Sequence, residues 1–137
     1  MRKLKLDAVL GRATLFAMTE LDEILAHLVD NVDGTMMAAV GGMDGLLVEQ
    51  YPHNNTDLSA TTAELTNVLN NSRTAFMQGL EGGDLREVIV TSENLVGYTR
   101  LLNEDFFCLL VLDALGNIGK ARLYSDQAVR HILEVFA

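Results

Sequence analysis

Seven consecutive residues, Phe106–Leu112, are apolar without exception. Side chains along a strand alternate between two faces, so a strand with no polar face needs cover above and below. The chain must place this segment centrally in a sheet and supply packing elements on both sides. Leu85–Thr91 and Leu95–Leu102 are two further strand-like runs, set off by Ser92-Glu93-Asn94 and Asn103-Glu104-Asp105. Connections that short join antiparallel neighbours, so the three runs form a meander. Thr35–Val40 and Leu46–Tyr51 flank the turn residues Gly41-Gly42-Met43-Asp44-Gly45 and read as a hairpin.

The remaining segments carry helical spacing. Thr19, with Asp22 three positions on, opens a first helix, and Leu21, Ile24, Leu25, Leu28 and Val32 repeat at three and four until Gly34. Asp57 is a good N-cap for a long middle helix, Leu58–Leu80, which Gly82-Gly83 stops. A last helix runs to about Phe136, with Ile118, Ala121, Ala128, Ile132 and Phe136 on one stripe. The order α-β-β-α-β-β-β-α predicts an α+β fold. Its five-stranded antiparallel sheet carries the first and last helices on one face and the middle helix on the other. Residues 19–137 form one domain, and residues 1–18 form an arm that is basic and apolar by turns.

The middle helix has an unusual surface. Of the twenty-three residues from Leu58 to Leu80, only Glu64 and Arg73 are charged. Its apolar stripe, Leu58, Leu65, Val68, Leu69, Phe76 and Leu80, is expected to face the chain's own core. The opposite stripe is Ala63, Asn67, Asn70, Thr74 and Gln78. A solvated helix face would carry Lys and Glu in i,i+4 pairs instead. Small and amide residues there point to a face that meets another protein surface, first of all a second copy of the chain. The strand Leu85–Thr91 is expected at a sheet edge and paired with its own copy. Val88 and Val90 lie on one of its faces and Leu85 and Ile89 on the other, and an apolar edge left open invites association. The expected dimer interface is therefore Ala63, Asn67, Asn70, Thr74, Gln78, Val88 and Val90. Asn71, Arg73 and Met77 are the candidates for contact with a further partner. Arg73 is the only cation on that helix.

Charge narrows the partners. The net charge is −9, yet residues 1–12 alone are basic, with Arg2, Lys3, Lys5 and Arg12 against Asp7. An acidic body argues against nucleic acid, whose phosphates need clustered Lys and Arg. Uncharged runs reach only about ten residues, short of the roughly twenty that span a bilayer. Asp7 and Arg12 interrupt what would be the apolar stretch of a signal peptide. The single Cys108 excludes an internal disulfide, which fits a reducing compartment. These features together predict a cytoplasmic protein with no transmembrane segment.

No catalytic constellation is legible. His27, His53 and His131 have no metal-ligand spacing among themselves or with Cys108, and Cys108 lacks a flanking base. Gly116-Asn117-Ile118-Gly119-Lys120 fails as a phosphate loop on spacing, and Ala121 stands where Ser or Thr is required. The expectation is no enzyme, no cofactor and no metal. Arg73, Arg86, Arg100 and Arg122 could each reach a bound nucleotide, as arginines supplied in trans do during GTP hydrolysis.

Three local stretches carry a family likeness. They are Ala38-Ala39-Val40 through Asp44-Gly45-Leu46-Leu47-Val48, the helix end Phe76-Met77-Gln78-Gly79-Leu80-Glu81-Gly82-Gly83, and Leu109–Asp113 through Gly116-Asn117-Ile118-Gly119-Lys120-Ala121-Arg122-Leu123. With the element order, they make Thr19–Phe136 resemble the Roadblock family, which includes the dynein light-chain Roadblock, in its bacterial, gliding-motility-regulator-like form. The resemblance implies a profilin-like architecture and a homodimer whose sheets join edge to edge and whose middle helices pair. It also implies a non-catalytic platform or regulator for a small Ras-like GTPase, sometimes one that activates hydrolysis without its own arginine finger. The competing expectation is a small-molecule-sensing or signalling interaction domain, which would need an apolar cavity with convergent polar groups.

Overall fold

A computed structural model describes residues 12–54 and 56–137; most of the predicted arm lies outside the described residues. The elements are α1 (Arg12–Asn31), β1 (Thr35–Gly42), β2 (Leu47–Tyr51), α2 (Ser59–Arg73), β3 (Glu87–Thr91), β4 (Leu95–Leu101), β5 (Phe106–Asp113) and α3 (Ile118–Phe136). All five strands join in one antiparallel sheet of order β2-β1-β5-β4-β3. β5 is central and buried at every position from Phe106 to Leu112, as its unbroken apolar run requires.

Alternation along β5 divides the core in two. Phe106, Cys108, Leu110 and Leu112 pack with Leu21, Leu25 and Leu28 of α1 and with Ala121, Ala128, Ile132 and Phe136 of α3. Phe107, Leu109 and Val111 pack with Leu58 and Leu69, at the start and within α2. The predicted layers and meander therefore stand. The start of α1 does not: Thr19 sits inside a helix that begins at Arg12.

The middle helix departs further. Its regular part ends at Arg73 and continues as one π-helical stretch, Thr74–Gly79. Asp57 stands one residue before the cap position, which Leu58 occupies. Its Oδ1 accepts from Ser59 N at 2.9 Å and Ser59 Oγ at 2.7 Å, and these bonds lower its carboxyl pKa. The buried stripe is Leu58, Thr62, Thr66 and Leu69. Val68, Phe76 and Leu80, expected in the core, are 41%, 54% and 68% exposed. Two effects account for this. Thr66 Oγ1 bonds Thr62 O at 2.8 Å, so a buried threonine satisfies its hydroxyl locally and holds a core position that sequence patterning gives to larger residues. Beyond Arg73 the wider π winding breaks the helical phase, so a 3.6-residue stripe extended through it loses register.

Candidate functional site: an apolar groove beside the β3 edge

α2 lies over the β1–β5 side of the sheet and leaves the β4–β3 side bare. The result is an apolar groove of about 580 Å³ between helix and sheet. One wall is Ala60, Thr61, Glu64, Leu65 and Val68; the floor and far wall are Val90, Leu95, Gly97, Leu109 and Val111. Gly97 deepens the floor, since a Cβ there would meet nothing closer than 3.8 Å. Glu64 is the one charged residue lining the groove. The groove opens beside β3, an edge strand as expected, whose Val90 is 45% exposed.

The edge strand is anchored from behind. Glu87 of β3 accepts from Tyr98 Oη at 2.9 Å, from Arg122 Nε at 2.9 and 3.1 Å and from Arg122 Nη2 at 2.5 Å. The Arg122 guanidinium holds the Glu87 carboxyl below the usual carboxylate range, against the opposing effect of burial. Burial pushes the Tyr98 phenol up to about 12. Arg122 is thus committed to tying β3 to α3, and Arg100 pairs with Asp126 of α3. Ile89 packs into the α1–α3 core, whereas Leu85 and Val88 pack together on the α2 side. Leu85 therefore shares a face with Val88 rather than with Ile89, because it precedes the regular strand and its alternation.

The predicted interface residues divide between two surfaces. Ala63, Asn67, Asn70, Thr74 and Gln78 are all exposed on the outer side of α2 and its π-helical extension. Val90 lines the groove, and Val88 is half-buried against the core cluster on the α2 side of the sheet. The groove-facing Leu65 and Val68 carry the helical spacing of core residues, and Leu95 carries the alternation of a strand, so neither pattern marks them as a groove. Their signal was present as an apolar stripe too wide for one helix of a two-layer contact.

Arg73 and Met77 line a second cleft of about 750 Å³, with Arg86, Arg100 and the β4–β5 turn. Asn71 is exposed and lines neither cleft. Arg73 is half-buried and its Nη1 donates to Glu104 O at 3.5 Å, so the guanidinium lies along the surface. Asn117 caps α3 by accepting from Lys120 N at 2.9 Å, and Lys120 Nζ is 3.2 Å from Asp33 Oδ2. That loop is a helix cap in structure as well as in spacing. His27 and His131 are exposed beside Tyr124, between α1 and α3. Among the described residues no helix is long and apolar enough to cross a membrane.

No protein-family model matches the sequence, and neither does any curated protein. Solved structures do. MglC from Myxococcus xanthus is 30% identical, with 85% of this chain and 97% of that chain covered and a TM-score of 0.55. A Roadblock/LC7 domain from Streptomyces avermitilis is 17% identical over 82% of this chain and 94% of its own, with a TM-score of 0.76. The gliding protein MglB from Thermus thermophilus is 15% identical over 87% of this chain and 90% of its own, with a TM-score of 0.75. The last two are likenesses of fold alone.

Proposed function

The chain belongs to the Roadblock family, and on that premise we propose that it is a non-catalytic homodimeric platform that binds and regulates a small Ras-like GTPase in the cytoplasm. The observation that carries the reading is the apolar groove lying open beside an unpaired, apolar edge strand. A lone chain would leave both in water, where each square ångström of apolar surface forgoes about 25 cal/mol. A second copy related by a twofold axis covers both at once: the β3 edges pair, and each α2 packs toward the other's groove. In that arrangement Val68, Leu65 and Val90 lie at the centre, and the stripe from Ala63 to Gln78 forms the rim.

The paired helices then present one broad uncharged surface, flanked on each side by the cleft of Arg73 and Met77. This is where we assign the GTPase, as a regulator of the kind that the gliding proteins among the structural neighbours represent. Arg73 acts there as a docking contact, since a guanidinium held against the Glu104 carbonyl is not extended toward a partner's nucleotide.

Titration of a Ras-like GTPase from the same genome, loaded with GTP or GDP, tests the reading. Tight binding in one nucleotide state is expected. Arg73→Ala should lower affinity by a loss of about 1–3 kcal/mol with turnover at saturation preserved. A loss of turnover of about a thousandfold would make it a finger instead. Absence of binding in both states overturns the GTPase assignment.

One observation favours a second reading. A groove of about 580 Å³ is also large enough for a small apolar ligand. A monomer in solution that retains an apolar molecule through purification would select that reading over the dimer.

A further inference from the structure

We propose that Asp22, Glu49 and His53 form a binding site for a divalent transition-metal cation of the zinc class, at the β2 edge of the sheet. The three residues come from three elements: α1, β2 and the loop that follows β2. Their ligand atoms all lie within 4.8 Å of one another. His53 Nε2 is 2.9 Å from Asp22 Oδ1 and 3.3 Å from Glu49 Oε1.

Proton chemistry satisfies this arrangement only in part. Nε2 carries at most one hydrogen, which can be directed at one oxygen. Asp22 Oδ1 is closed off from solvent, and His53 Nε2 lies 2.9 Å from it without hydrogen-bond alignment, so only the charge of a protonated imidazole serves it. A buried carboxylate oxygen without a donor is costly. A cation at the centre bonds all three atoms together and removes that cost. Tetrahedral coordination with bonds of 2.0–2.2 Å sets ligand atoms roughly 3.4 Å apart. The contacts at 2.9 and 3.3 Å need only a small outward adjustment to meet that spacing.

The site is also built. Gln50, 7% exposed, donates Nε2 to Pro52 O at 3.1 Å and Thr56 O at 2.9 Å, and accepts from Leu58 N at 2.9 Å. These bonds fix the loop that carries His53. Glu49 Oε1 is held in turn by Gln50 N at 3.0 Å. One imidazole and two carboxylates suit Zn²⁺, Co²⁺ or Mn²⁺ rather than a soft monovalent ion. His53 is 59% exposed, so a fourth position faces solvent and is open to water or to a donor from a partner. β2 and β3 are opposite edges of the sheet, so the site is independent of the dimer and GTPase readings.

Calorimetric titration of Zn²⁺ into the untagged chain near pH 7 tests the proposal. The expected result is one site with a dissociation constant on the order of 10 µM. Asp22→Asn and His53→Gln should each weaken it at least tenfold, because each removes one of only three ligands. His131→Gln should leave it unchanged. Zn²⁺ should also raise the melting temperature of the wild type and not that of the two ligand variants, which must melt like the wild type without metal. A variant that melts lower without metal is replaced by Co²⁺ absorption on the wild type, where a nitrogen–oxygen tetrahedral spectrum is expected. No heat up to about 100 µM Zn²⁺ overturns the proposal, as does undiminished affinity in Asp22→Asn and His53→Gln.

Discussion

Gly41 and Phe107 are register partners in β1 and β5, and no side-chain atom fits between them: a Cβ on Gly41 would lie 2.5 Å from Phe107 Cζ. The same Cβ would stand 2.8 Å from Thr62 Cγ2. The missing side chain is what lets α2 settle onto the sheet at the threonine stripe. Gly41→Ala forces a fully buried ring and a fully buried threonine apart. We expect it to destabilise the fold by about 1–3 kcal/mol, read from chemical denaturation. An unchanged midpoint would mean that α2 does not seat as described.

Interface substitutions should rank by distance from the groove rather than by helix face. Val68→Lys places an ammonium in the apolar centre and should yield monomers by light scattering at micromolar concentration. Asn70→Lys, on the outer stripe, should weaken the dimer less. A reversed order would move the interface onto the amide stripe, and a monomeric wild type would remove it.

Acid should loosen the β3 anchor. The Glu87 carboxyl is held below its ordinary pKa by Arg122, so its stabilisation is present above the unfolded-state value near 4.5. It is lost as pH falls through the lower, folded-state value. Glu87→Gln should cost about 3 °C of melting temperature at pH 7, a modest amount because Arg122 is half exposed. It should also flatten the decline of melting temperature between about pH 5 and pH 3. Parallel wild-type and variant curves would contradict this.

Cys108 should be chemically silent in the folded chain. It is 2% exposed, and burial pushes its thiol up to about 12. A thiol-reactive disulfide reagent at pH 8 should label it only at the rate of global opening. Rapid labelling of native protein would show that β5 is less well covered than its packing indicates.

The architecture was legible because its signals are local. Unbroken apolarity in Phe106–Leu112 demanded two covered faces, and short polar connections forced a meander. The groove was hidden for a specific reason. Leu65 and Val68 carry the same apolar label as Leu69, while Thr62 and Thr66 carry a polar one, yet the threonines are inside and Val68 is out. The space left by Gly41 admits Thr62, and that space belongs to the sheet rather than to the helix sequence. The convergence of Asp22 with Glu49 and His53 is similarly non-local. The histidines and the cysteine carry no metal spacing along the chain, whereas the structure brings one histidine to two carboxylates.

The sheet has two unlike rims. On the β3 side the rim ends in Val90 beside an apolar groove; on the β2 side it carries Glu49, and Pro52 follows where further pairing would begin. Identical sheets that meet only through the first rim leave nothing but the second facing outward, and proline and charge there resist another strand. Growth along the hydrogen-bonding direction then terminates of its own accord. Assembly through the first rim would be kept from adding copies without limit by the inequality of the two borders.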